Sequence, residues 1–154
     1  MAKFGVKSGK LYAIGEAALK VGLSVPTLRL YEKEGMIIPH KTKSSRRFYS
    51  VLDLKIIRVI HRMIQKDGLN FAGVRRLLAL LPCWDLKPCC EGAYGTCAVP
   101  TISDRPCWSV EETICRAMGI DCRACVVYAR AAELPRIKTM IHRRTGSAGQ
   151  NPKD

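Results

Sequence analysis

Leu23-Ser24-Val25-Pro26-Thr27-Leu28-Arg29-Leu30-Tyr31-Glu32-Lys33-Glu34-Gly35 decides the fold. It is followed by Met36-Ile37-Ile38-Pro39 and, after a basic loop, by Ser45-Arg46-Arg47-Phe48-Tyr49-Ser50. Ser24 is an N-cap residue, and Pro26 falls in the first turn, where its missing N–H costs little. Leu28, Tyr31 and Glu32 recur at helical spacing, and Gly35 supplies a stop. The spacing predicts a short helix carrying Thr27, Arg29, Tyr31 and Lys33, set after a tight turn from a preceding helix. That is the outline of a helix-turn-helix.

Outward from this stretch the pattern continues. Upstream, Leu11 to Val21 reads as a strand-like entry and then a helix with Ile14, Ala17, Ala18 and Val21 on one face, ended by Gly22. Residues 1–10 read as a loosely docked basic arm. Downstream, Ile37 to Tyr49 reads as a hairpin wing whose Lys41, Lys43, Arg46 and Arg47 reach phosphates flanking a groove. His40 is expected to be solvated. Ser50 caps a helix over Val51 to Lys66 with Leu54, Ile57, Val59, Ile60, Met63 and Ile64 inward, and Met63 is read as core. His61 is read as a half-exposed helix residue. Asp67-Gly68 ends that helix. Asn70 caps another over Phe71 to Leu81, with Val74, Leu77, Leu78 and Leu81 inward and Arg75-Arg76 facing out as a second wing.

Tyr12-Ala13-Ile14-Gly15-Glu16-Ala17-Ala18, Gly22-Leu23-Ser24, Thr27-Leu28-Arg29, Tyr31-Glu32, Gly35-Met36-Ile37, Pro39, Arg47-Phe48-Tyr49 and Asp53-Leu54 carry a resemblance, in order and spacing. Residues 11 to about 80 resemble the N-terminal DNA-binding domain of the MerR family of bacterial transcription regulators. Leu30 departs from that pattern, because an aromatic near the phosphates often stands there. The resemblance implies contacts to double-stranded DNA, here from Ser24, Thr27, Arg29, Tyr31 and Lys33 on the reading helix and Lys41, Lys43, Arg46, Arg47 and Tyr49 on the wing. It also implies a homodimer on a palindromic promoter site, RNA polymerase as a partner, and activation by distorting bound DNA. The long dimerisation helix that normally follows is interrupted by Pro82. Val126 to Ala132 or Ile137 to Arg144, separated by Pro135, are the candidate replacements.

The chain has 154 residues, a formal charge of +13 and 47% apolar residues, the composition of one or two small globular domains. Residues 1–81 hold 16 Lys and Arg against 5 Asp and Glu, residues 82–128 hold 4 against 6, and residues 129–154 hold 6 against 2. The basic excess sits on the half that carries the helix-turn-helix pattern, as phosphate neutralisation requires. No run approaches the ~20 apolar residues of a membrane span. Met1 to Lys10 lacks the apolar core of a signal peptide, so a cytoplasmic location is expected.

In a reducing compartment the eight cysteines, Cys83, Cys89, Cys90, Cys97, Cys107, Cys115, Cys122 and Cys125, point to metal ligation or thiol chemistry before structural disulfides. Cys83-Trp84 and Cys107-Trp108 stand 24 residues apart in a loose internal duplication. The arrangement resembles a small bacterial module with two Cys-Trp pairs. Residues 82–101 hold few aliphatic side chains and need a staple to form a core. Four thiolates make a tetrahedral zinc site or hold an iron–sulfur cluster. With one Cys-x-x-Cys knuckle, Cys122 to Cys125, the irregular spacing leans slightly to iron–sulfur. A reversible Cys122–Cys125 disulfide is the third alternative. Trp84 and Trp108 either cover sulfur or pack as ordinary core. Ser109 with Glu112 reads as a capping box for a helix over Ser109 to Met118, with Cys115 facing the cluster and Gly119 ending it. Glu111 and Glu112 diverge on a helix and read as a solvated helix start. Residues 129–144 read as a C-terminal helical segment and 145–154 as a disordered tail.

The expected architecture is therefore mainly α: a winged helix-turn-helix DNA-binding domain over 11–81, followed by a small metal-stapled cysteine-rich module over 82–128. The expected function is a non-enzymatic DNA-binding regulator whose module senses metal or redox state. A constitutive regulator with a structural zinc site and a thiol–disulfide protein are the rivals. The short link at Leu81-Pro82 predicts coupling by tilting the Phe71–Leu81 helix from Cys83.

Overall fold

The computed structural model describes residues 9–87 and 96–137, with Trp84 and Asp85 as backbone alone. The basic arm before residue 9, Cys89, Cys90 and the tail after residue 137 lie outside the described residues.

A short strand β1 (Tyr12–Ala13) leads into α1 (Ile14–Val21) and α2 (Val25–Lys33). Gly22 adopts a left-handed φ of 69° and closes α1 by donating to the carbonyls of Ala18 and Leu19, so the chain turns within three residues. The Ser24 hydroxyl accepts from the Thr27 amide at 3.2 Å and starts α2. Strands β2 (His40–Lys41) and β3 (Arg47–Tyr49) form the wing, and β3 pairs with both β2 and β1 in an antiparallel sheet ordered β1-β3-β2. Tyr12 stands opposite Tyr49 and Lys41 opposite Arg47.

Ser50 and Asp53 form a capping box at the start of α3 (Val51–Gln65), and Asn70 caps α4 (Phe71–Ala79) through the Gly73 amide at 2.8 Å. Ile56 is buried as well as the expected Leu54, Ile57, Ile60 and Met63, while the expected Val59 and Ile64 are half-buried. The apolar face of α3 is widened because a further layer packs on it, the 3₁₀ turn Ala131–Arg136.

The cysteine-rich segment folds as α5 (Cys83–Leu86), the 3₁₀ turns Val99–Thr101 and Cys107–Ser109, α6 (Ile114–Ala117), a 3₁₀ turn Cys122–Ala124 and α7 (Val126–Arg130). The expected Ser109–Glu112 capping box does not form. Ser109 Oγ donates to the Pro106 carbonyl at 2.8 Å, and Thr113, buried, caps α6 through the Arg116 amide. Gly119, with φ 69°, does end that helix. The Val126–Ala132 candidate for a dimerisation helix is split between α7 and the 3₁₀ turn Ala131–Arg136, and its Val127, Tyr128 and Ala131 are buried within their own chain. Val127, Tyr128, Ala131 and Leu134 join one hydrophobic cluster with Ala17, Leu28, Ile57 and Val74. Pro135 lies inside the closing 3₁₀ turn.

Candidate nucleic-acid interface and cysteine cavity

The reading helix α2 buries Leu28 and Tyr31 and turns Ser24, Arg29 and Lys33 to solvent, with Thr27 half-buried. On the wing, Lys41, Lys43 and Arg46 are exposed. Among the described residues Arg29, Lys33, Lys43 and Arg46 have no acidic partner, so their charge is available to phosphate. Lys41 and Arg47 are both committed to Glu32, which ties β2 and β3 to the back of α2.

Two expected DNA contacts are corrected. Tyr31 is 2% exposed, hydrogen-bonds His61 Nδ1 at 3.2 Å and packs edge-on against Phe71, so it belongs to the core. Tyr49 is fully buried, and burial first of all pushes its hydroxyl up to about 12. Both aromatics follow the helix and strand periods into the domain, where a phosphate cannot follow. The expected second wing is corrected in part, because Arg75 is paired with Glu34 at the end of α2. His40 is exposed, as expected, but is not merely solvated: Arg123 Nη1 donates to its Nδ1 at 2.7 Å.

Burial alone would raise the Glu32 carboxyl, but hydrogen bonds from Arg47 and Lys41 outweigh it and hold the group below the ordinary range. A depressed folded value means that this tie is complete above the unfolded carboxyl pKa of ~4.3 and is lost as pH falls through the lower folded value. Acid titration of thermal stability is therefore expected to show a slope in the wild-type chain below about pH 4.3 that Glu32→Gln reduces. An equal slope in both would show that the ion pairs do not hold the wing.

Six cysteines, Cys83, Cys97, Cys107, Cys115, Cys122 and Cys125, line a single cavity of about 30 Å³, together with Lys87, Trp108, Thr113 and Tyr128. All six are half-buried. Cys83 comes from α5, Cys107 from the turn Cys107–Ser109, Cys115 from α6, Cys122 from the turn Cys122–Ala124 and Cys125 from the N-cap of α7, so cysteines scattered in sequence line one cavity. Burial pushes the Cys107 thiol far above its ordinary range, and the neighbouring Cys83, Cys125, Cys122 and Cys115 add to the shift. Burial likewise raises Cys122, with Arg116 opposing it. Lys87 Nζ reaches Cys115 Sγ at 3.9 Å. Among the described residues no three Cys, His, Asp or Glu side chains stand within reach of one metal ion. Sulfur is the donor type that soft metals take.

Comparison with known proteins resolves the first half of the chain. A family profile described as "MerR HTH family regulatory protein" matches residues 12–81. Residues 12–81 are a MerR-family helix-turn-helix domain. HspR of Streptomyces coelicolor is 36% identical over 70 residues, covering 46% of this chain and 46% of that protein. The HTH-type transcriptional regulator YyaN of Bacillus subtilis is 35% identical over 69 residues, 44% of this chain and 49% of the relative. GlnR of Bacillus anthracis, also an HTH-type transcriptional regulator, is 31% identical over 74 residues, 48% and 57%. The chain thus spans about half the length of these curated relatives. No solved structure matches it. No helix among the described residues is long and apolar enough to cross a membrane.

The cysteine segment is docked on the MerR domain where α2 passes into the wing. Trp108, 1% exposed, donates from Nε1 to the Gly35 carbonyl at 3.0 Å. Its ring stands edge-on to Tyr128, with centroids 5.1 Å apart. Tyr128 donates from its hydroxyl to Asp53 Oδ1 at 2.7 Å and accepts from the Ile38 amide at 3.2 Å. Burial, and then the Asp53 carboxylate, push the Tyr128 hydroxyl well up, so it stays protonated and donates. Asp53 Oδ2 meanwhile accepts from the Ser50 amide and hydroxyl, each at 2.7 Å. One buried carboxylate therefore serves both the α3 cap and the docking contact. Gly35 has φ 71°, and a Cβ there would come within 3.0 Å of Ser109 Cβ, so glycine suits both the turn and the close approach. Sequence reasoning missed the roles of Asp53 and Tyr128. The available signal was a hydroxyl-bearing aromatic inside the apolar run Val126-Val127-Tyr128-Ala129, since a buried tyrosine hydroxyl needs a partner.

Proposed function

We propose that the chain is a DNA-binding transcription regulator whose cysteine cavity holds a soft metal ion or iron–sulfur cluster and adjusts DNA binding to its occupancy or redox state. The observation that carries the DNA-binding half is the MerR-family domain over 12–81, whose reading helix and wing present four exposed cations without acidic partners among the described residues. Its partner is double-stranded promoter DNA, read as a palindrome by two copies of the chain and acted on with RNA polymerase.

The six-cysteine cavity supports the second half. The ligands are drawn from the cysteines that line it, Cys83, Cys97, Cys107, Cys115, Cys122 and Cys125. A bound cation replaces thiol protons and relieves the mutual repulsion that opposes ionisation. The group supplies redox or ligand-exchange chemistry, while Trp108 and the aliphatic lining exclude water.

Selection of DNA from a random library by the purified chain tests the first half, and recovery of no preferred sequence would sink it. On the selected site, Arg29→Ala is expected to weaken binding by about 1–3 kcal/mol. Lys43→Ala with Arg46→Ala is expected to reduce the salt slope of log K by about 2. Unchanged slopes in gel-shift titrations would remove the wing from the interface. Anaerobic purification with a visible spectrum and metal analysis on one sample tests the second half. Iron with acid-labile sulfide identifies a cluster sensor, and stoichiometric zinc without colour a structural or thiol-based site. A metal-free, colourless chain with reactive thiols rejects the metal centre.

A further inference from the structure

We propose that Trp108 and Tyr128 are the residues that transmit the state of the cysteine cavity to the DNA-reading surface, by setting the hinge Gly35–Ile38 between α2 and the wing. The inference rests on the reading that the cavity takes a metal, and it names the route by which occupancy is felt. Both residues line the cysteine cavity on one side. On the other side both hold main-chain atoms of the hinge: Trp108 the Gly35 carbonyl and Tyr128 the Ile38 amide.

The two are also adjacent in the chain to thiols. Trp108 follows Cys107, and Tyr128 sits three residues after Cys125 on α7. A group held by Cys107 and Cys125 would therefore bear on the two segments from which these side chains project. The hinge lies directly after the reading helix and before β2, so a displacement there changes the angle between the two DNA-contacting elements. A third contact runs in parallel: Arg123, inside the Cys122–Cys125 knuckle, reaches His40 on β2. The expected route from Cys83 through α4 meets the end of α2 at the Arg75–Glu34 ion pair. The Trp108–Tyr128 route reaches the segment that joins the reading helix to the wing in one step.

Two-state transmission requires that the cavity and the hinge bias each other, and hydrogen exchange reads this directly. The full chain, Tyr128→Phe and Trp108→Phe are titrated with Co²⁺, following thiolate-to-cobalt absorbance and the exchange rate of the Ile38 amide. In the wild-type chain Co²⁺ saturation is expected to change Ile38 exchange by about two- to tenfold, the worth of one hydrogen bond. Tyr128→Phe is expected to keep the cobalt band and lose the response. Trp108→Phe keeps the band and weakens the response. An unchanged Ile38 rate in the wild type at full cobalt loading, or an equal response in Tyr128→Phe, overturns the proposal. Absence of a cobalt band counts against the metal reading alone. The same comparison is then made with the thiols alkylated by N-ethylmaleimide. A response of Ile38 in the wild type that Tyr128→Phe abolishes supports the route, and no response overturns it.

Discussion

Trp108→Ala is expected to lower the stability of the chain by about 3–5 kcal/mol, the range found when a buried large aromatic is truncated. Trp108 is 1% exposed and is the largest fully buried side chain among the described residues. Three separate losses combine at this position: the ring volume, the edge-to-face contact with Tyr128, and the hydrogen bond to the Gly35 carbonyl. For a chain of this size the melting temperature should fall by roughly 10 °C or more. Circular dichroism on heating measures it. Trp108→Phe retains most of the ring and should cost markedly less. A loss below about 1 kcal/mol for the alanine variant would mean that the cysteine segment does not depend on this anchor.

Asp53→Ala is expected to cost about 2–4 kcal/mol, because one carboxylate performs two tasks. Removing the capping box from α3 accounts for about 0.5–2 kcal/mol. Leaving the Tyr128 hydroxyl without its buried acceptor adds about 1–3 kcal/mol. The two parts separate in a double-mutant cycle with Tyr128→Phe. In the phenylalanine background only the capping loss remains, so the interaction energy should be about 1–2 kcal/mol. Additive costs in urea denaturation would show that the carboxylate and hydroxyl do not support each other. Together the two variants test whether the MerR domain and the cysteine segment are stabilised as one body, as their shared hydrophobic cluster indicates.

The division between what was legible in the sequence and what was not follows the range of the interactions. The turn after α1, the Ser24, Ser50 and Asn70 caps and the glycine stops at Gly22 and Gly119 all appeared in the structure as expected. Each is settled by partners within about five residues, so side-chain identity and spacing suffice. The expected capping box at Ser109 failed even at short range, because Ser109 is held by Pro106 beside the docking site at Gly35. The matching of residues 12–81 to a MerR domain likewise rests on local order and spacing.

The inward turn of Tyr31 and Tyr49 shows the limit from the other side. Their types suit a phosphate contact, and only the packing of α2 and β3 on the core decides that they face away. The cysteine site was legible as a set of ligand types and not as a place. The sequence determined that this chain carries a capped, basic helix-turn-helix and many thiols. Tertiary structure alone decided that six of those thiols share one cavity, and that its wall is also the contact to Gly35, Ile38 and Asp53. Those contacts join residues 73 to 90 positions apart. No periodicity reaches that far, since such pairs are chosen by complementary shape and by the need of buried polar groups for partners.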